Sequence, residues 1–281
     1  MHFELNQELL EYTVEARNFA DPVHNLLHQE EIAQRFGYRG EVVPGVGVYA
    51  YMTAPITESF GVDWLERGSM SAKFLKPIYD GDTVTVRSKV IHLDPVRILV
   101  SVYNQCDVMC ALGEASLPED HTESLSILNF PLHPMPLESE RLKPMKSEIP
   151  NDCPLGTMEF TIDLSSPEGE HATFLNEIDA KQSLYRGEHP HYHPAQILLK
   201  ANQVLYKNLN IDPWIHIASD VRYHALPMDG DPVALRGRIR HTYAKQGHLI
   251  ALSELTLVGR QEKFLTHLTH TTIIQPAWAP E

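Results

Sequence analysis

Two stretches of this chain, 149 residues apart, follow one pattern: Tyr79-Asp80-Gly81-Asp82-Thr83-Val84-Thr85-Val86-Arg87 and Met228-Asp229-Gly230-Asp231-Pro232-Val233-Ala234-Leu235-Arg236. An Asp-Gly turn before a strand is common on its own, but the flanks repeat too. Pro44 precedes Trp64 by 20 residues, and Pro194 precedes Trp214 by 20. A chain built this way folds as two copies of one supersecondary unit, which excludes most other architectures of its length.

Each copy opens on a helix signal. Proline suits a first helical turn, where its missing N–H leaves nothing unpaired. After Pro44 comes Gly45-Val46-Gly47-Val48-Tyr49-Ala50-Tyr51-Met52; after Pro194, the residues Ile197, Leu198, Ala201, Val204 and Leu205 fall on one helical face. The period then changes to two. Strands are predicted over 83–90, 97–103 and 108–117 in the first copy, and over 233–240, 249–258 and 264–274 in the second. Residues 118–154 hold seven of the twenty prolines, a density that resists regular structure and fits a connector between domains. The chain divides accordingly into an N-terminal domain over 1–117, a Pro-rich linker over 118–154 and a C-terminal domain over 155–281. Aspartates 80, 82, 229 and 231 read as turn residues.

A helix entered through a Pro-Gly step and wrapped by antiparallel strands resembles the hot-dog fold. Two copies in one chain resemble the double hot-dog proteins of the MaoC-like hydratase and dehydratase group. The residues that carry this are Asn25-Leu26-Leu27-His28, Ala33, Phe36-Gly37-Tyr38-Arg39-Gly40 and Val42-Val43-Pro44-Gly45, with Phe74-Leu75-Lys76-Pro77 before the Asp-Gly-Asp turn. The likeness spans residues 15–117; over 155–276 it rests mainly on the repeat. It implies an α+β double hot-dog, each long central helix wrapped by a curled antiparallel sheet. It also implies addition or removal of water across the α,β bond of an enoyl or 3-hydroxyacyl thioester. Coenzyme A or an acyl-carrier protein would carry the substrate, and no other cofactor is implied.

In that group an Asp–His pair handles the water and the α-proton, and N–H groups at the helix start hold the thioester carbonyl. Carried over, the base is His28, with Asn25 three residues before it. The Asp position, five before the His, is Val23, and Asp21 lies two residues further away. A second register places Asp21-Pro22-Val23-His24 on the motif, which would make His24 the base. The usual His-Gly at the helix start is Pro44-Gly45, leaving the N–H groups of Gly45 and Val46 as carbonyl donors. Tyr49, Arg39 and Lys73 are candidate substrate contacts, Tyr49 at a tunnel mouth and the two cations on the phosphates of a coenzyme A arm. The second copy has its own cluster, Glu188-His189-Pro190-His191-Tyr192-His193. Glu188, His191 and His193 could add an acid/base pair to the first copy's site, serve as loop structure, or ligate a metal. No HExxH or paired-Cys motif supports the metal, and none is expected. Two further readings stand beside the hydratase: a thioesterase, and a non-catalytic acyl-thioester binder.

Lys plus Arg is 23 against 37 Asp plus Glu, a net charge of −14, which argues against a nucleic-acid backbone as partner. Three cysteines cannot build a disulfide framework. The first residues lack an apolar signal segment, and no window approaches a membrane span, so a cytoplasmic protein with no membrane association is expected. A double hot-dog can satisfy its own pairing, so monomer and homodimer both remain open.

Overall fold

A computed structural model describes residues 3–20, 25–118, 125–145 and 149–277. In the first half, strand β1 (Tyr12–Glu15) is followed by helices α1 (Glu30–Arg35), α2 (Gly45–Phe60) and α3 (Val62–Arg67). Strands β2 (Ser69–Phe74), β3 (Thr83–Leu93), β4 (Val96–Tyr103) and β5 (Met109–Leu117) complete it. The second half runs β6 (Cys153–Thr161), α4 (Glu170–Glu177), α5 (Gln196–Asn208), β7 (Ile215–Tyr223), β8 (Pro232–Lys245), β9 (His248–Val258) and β10 (Phe264–Gln275).

All ten strands form one antiparallel sheet in the order β1-β3-β4-β5-β2-β7-β10-β9-β8-β6. The order reads the same from either end once copy is matched to copy. The halves meet where β2 lies against β7, with Ser69 opposite Arg222 and Lys73 opposite Ala218. The six expected strands are all present, within a few residues of the predicted limits. The connecting pair β2 and β7 and the edge strands β1 and β6 were not foreseen. Strand β6 starts at Cys153, so the last two residues of the Pro-rich span pair with β8. Pro154 is tolerated there because β6 is an edge strand. The rest of that span lies on the second half: Phe130 is buried edge-on to Phe264, and Thr157 donates its N–H to the His133 carbonyl at 2.8 Å.

The repeated turn is duplicated atom for atom. Asp82 Oδ2 accepts from the Tyr79 N–H at 3.0 Å, and Asp231 Oδ2 from the Met228 N–H at 3.1 Å. Asp80 Oδ1 accepts from Asn18 N–H and Asp229 Oδ1 from Leu164 N–H, both at 2.7 Å. Gly81 and Gly230 between them have φ of 76° and 74°, values glycine adopts without strain. These four aspartates are therefore turn residues, as expected.

Helix α2 is apolar on nearly every side and buried from Val46 to Thr57, because sheet and second half cover it together. Helix α5 is amphipathic. Ile197, Leu198, Ala201, Val204 and Leu205 are all buried, while Lys200 pairs with Glu170 of α4 and lies over the Phe160 ring. Among the described residues no helix is long and apolar enough to cross a membrane.

Candidate active site

A cavity of about 670 Å³ opens at the start of α2, between the halves. Phe19, Leu27, Val43, Phe74 and Ile78 line it from the first half, and Phe174, Leu199, Tyr206, Trp214 and Ile217 from the second. Its size and largely apolar wall suit a small organic ligand. Gly45 and Val46 are at its base. No side chain caps α2 at Pro44, so the first N–H groups of the helix are left for an outside acceptor, with the helix dipole in support.

His28 lines the cavity from a short helical turn over 26–28. Its Nδ1 donates to the Val42 carbonyl at 2.7 Å. A carbonyl only accepts, so the single proton of the neutral ring sits on Nδ1 and Nε2 carries the lone pair. Val42 lies just before the α2 start, so this one bond ties the base candidate to the carbonyl-binding candidate. Burial lowers the His28 pKa below 6.5, opposed by the Val42 hydrogen bond and the Glu41 charge. The loop is braced by Asn18, whose Nδ2 donates to the His28 carbonyl at 3.0 Å and to Glu41 at 3.1 Å.

Asn25 is buried and lines the cavity, but its polar atoms are committed. Nδ2 donates to the Trp214 carbonyl at 2.9 Å, and Oδ1 accepts from the Leu27 N–H at 3.2 Å. It locks the His28 turn onto the second half. Asn25→Ala is expected to lower unfolding stability by about 1–3 kcal/mol, since a buried carbonyl loses its donor and the turn its cap. Urea denaturation measures this. Asp21, Val23 and His24 lie outside the described residues.

The structure corrects the other expectations. Tyr49 is fully buried beneath the cavity, its hydroxyl 2.9 Å from that of Tyr223, so it does not sit at a tunnel mouth. Arg39 is exposed, paired with Asp82 and stacked 4.4 Å over the Tyr79 ring, and does not line the cavity. Lys73 projects from β2 into solvent; the cation on the cavity wall is Lys76. Glu188 is exposed, and none of Glu188, His191 and His193 reaches the cavity. His193 instead bonds locally in the segment that enters the second helix. Its Nδ1 accepts from the Ala195 N–H at 3.2 Å, while Gln196 Oε1 accepts from the His193 N–H at 3.3 Å and faces His171 Nδ1 at 2.6 Å. Among the described residues no three His, Cys, Asp or Glu side chains gather as metal ligands.

Sequence reasoning missed a buried polar chain on the far wall. His216 Nε2 lies 2.8 Å from Ser219 Oγ, which lies 3.0 Å from His270 Nδ1; His270 Nε2 lies 2.9 Å from Asn202 Oδ1. His216 and Ser219 are three apart on β7, so a regular strand would turn them to opposite faces. A bulge resolves this. Ala218 pairs with Thr271 and His216 with Thr272, leaving Ile217 as the extra residue and returning both side chains to one face.

Burial lowers His216 and His193 well below 6.5, with His270 and His171 as the respective neighbouring rings adding to it. Burial alone takes His270 to about 3. The unfolded imidazole binds a proton below about 6.5 and the folded one does not, so acid favours the unfolded chain. Each such ring removes up to about 1.4 kcal/mol of stability per pH unit below about 6.5, until its folded pKa is reached. The urea midpoint is expected to fall between about pH 7.5 and about pH 5.5. An unchanged midpoint would count against neutral buried rings.

No protein-family model matches the chain, and no curated protein matches it significantly. Solved structures do. A protein described as a MaoC-domain dehydratase from Chloroflexus aurantiacus superposes with a TM-score of 0.66 at 13% identity, covering 98% of this chain and 96% of its own. A conserved hypothetical protein of Mycobacterium tuberculosis with a double hot-dog fold gives 0.60 at 13%, covering 96% of each. A protein described as an oleoyl thioesterase from Lactobacillus plantarum gives 0.51 at 11%, covering 96% and 98%. The mirrored ten-strand sheet, the two helices it wraps and these superpositions over nearly the whole chain establish one architecture: an α+β double hot-dog fold.

Proposed function

We propose that the protein is an acyl-thioester hydratase or dehydratase acting across the α,β bond of an enoyl or 3-hydroxyacyl thioester. The observation that carries this is the His28–Val42 bond, which leaves Nε2 unprotonated on a ring that lines the same apolar cavity as the uncapped start of α2. In hydration, the water oxygen bonds to C3 and its proton passes to His28 Nε2. The electron pair moves onto the thioester oxygen, held by the Gly45 and Val46 N–H groups, and the imidazolium returns the proton to C2. Dehydration is the reverse. Asp21 is assigned the second polar role, on the water. Lys76, exposed beside the cavity, is assigned to the phosphates of the carrier arm.

A thioesterase reading uses the same His28 and helix start, with water attacking the carbonyl carbon and the thiolate leaving. A neighbouring structure described as a thioesterase keeps it in view. The test follows loss of enoyl-CoA absorbance and release of free thiol in parallel, with His28→Ala as control. Loss of absorbance without thiol, abolished in the variant, supports the hydratase. Thiol release supports the thioesterase. Neither signal over a range of chain lengths overturns both.

A further inference from the structure

The polar chain on β7 and β10 ends at an atom with nothing to bind. His216 is buried, lines the cavity, and its Nδ1 has no hydrogen-bond partner. Buried polar atoms are paired in nearly all native structures, so an unpaired one on a residue of a cavity wall marks a place for a ligand atom. The chain decides which kind. Asn202 Oδ1 accepts from His270 Nε2–H, so His270 Nδ1 accepts from the Ser219 hydroxyl, and Ser219 Oγ accepts from His216 Nε2–H. The proton of the neutral ring is thereby fixed on Nε2, and Nδ1 holds a lone pair.

The surroundings select the same tautomer independently. Nδ1 lies 3.0 Å from the point a Cβ on Gly45 would occupy, at the positive end of the α2 dipole and beside its free N–H groups. An N–H there would face other donors; a lone pair is favoured. The ring is clamped by Phe74, whose centroid is 4.8 Å away, and by His270 at 4.0 Å.

We propose that His216 Nδ1 is the acceptor for a ligand hydroxyl next to the thioester carbonyl, and that the cavity thereby selects 3-hydroxyacyl thioesters over their saturated counterparts. This rests on the acyl-thioester reading above. Donors at Gly45 and Val46 beside an acceptor at His216 match a carbonyl and an O–H two carbons apart on one ligand. His216 holds the oxygen and transfers no proton, consistent with a ring that burial and the neighbouring His270 keep neutral.

Calorimetric titration of the His28→Ala protein with a 3-hydroxyacyl-CoA and the saturated acyl-CoA of equal length tests this without turnover. The hydroxy ester is expected to bind about tenfold more tightly, the worth of one buried hydrogen bond. Adding His216→Phe is expected to remove the preference while saturated-ester binding persists. Ser219→Ala, which keeps the ring, is expected to reduce it. Ring nitrogen NMR of the ligand-free parent should show His216 protonated on Nε2. Equal affinities in His28→Ala, a preference that survives His216→Phe, or a protonated Nδ1 each overturn the inference and leave the thioester reading standing. Binding of neither ester overturns both.

Discussion

Replacing His28 with Ala is expected to lower turnover of an enoyl thioester by about 10² to 10⁴-fold, the usual worth of one positioned proton-transfer group. Binding should change little, because the ring supplies a small part of a mainly apolar wall. The loss therefore belongs in kcat, and a rise confined to KM would count against a catalytic role. In the parent protein the pH profile gives the second check. A base at His28 would work unprotonated, and burial lowers the His28 pKa below 6.5. Activity should stay flat through neutrality and fall only as pH drops through the lowered value. An acid limb centred above 6.5 would contradict the buried ring. His28→Gln tests geometry separately: an amide can still bond the Val42 carbonyl but cannot take the proton.

Gly113→Ala is expected to cause the larger loss of stability, about 3 kcal/mol or more, read as a Tm drop of about 6 °C or more. Gly113 lies on β5 opposite Ala72 of β2. A Cβ there would stand 2.2 Å from the Ser71 carbonyl oxygen and 2.8 Å from the Met52 Cε of α2. The methionine can turn aside; the carbonyl belongs to the β2 ladder and cannot. Because β2 also pairs with β7, the strain would pass into the seam that joins the halves. Differential scanning calorimetry measures this, and a Tm within a degree or so of the parent would refute it.

The fold was legible wherever one face of an element meets the core. Alternation placed β3, β4, β5, β8, β9 and β10, and the duplicated Asp-Gly-Asp turns tied copy to copy. Strands β2 and β7 were not legible, because each takes one of its two partners from the other copy and a bulge breaks the alternation of β7. The site divides in the same way. His28 and Gly45, which line the cavity, stood out in the sequence because their relation is local, set by a short loop and a helix start. His216, Ser219, His270 and Asn202 could not: they meet only after strand pairing, and the residue that aligns them, Ile217, has no chemistry of its own. Arg39 misled for a related reason. Its charge is visible in sequence, but its commitment to Asp82 is not.

The two helix starts have parted company. In the second half the segment entering α5 is bonded within itself, His193 Nδ1 accepting from the Ala195 N–H and Gln196 Oε1 from the His193 N–H, whereas no side chain bonds the entry to α2 at Pro44. A duplicated unit thus behaves like a pair of gene copies after division of labour: one start is bonded within its own segment, the other opens on the cavity. Lesions at 193–196 should then be suppressible by stabilising mutations elsewhere, as scaffold defects are, whereas lesions at 44–46 should resist such suppressors.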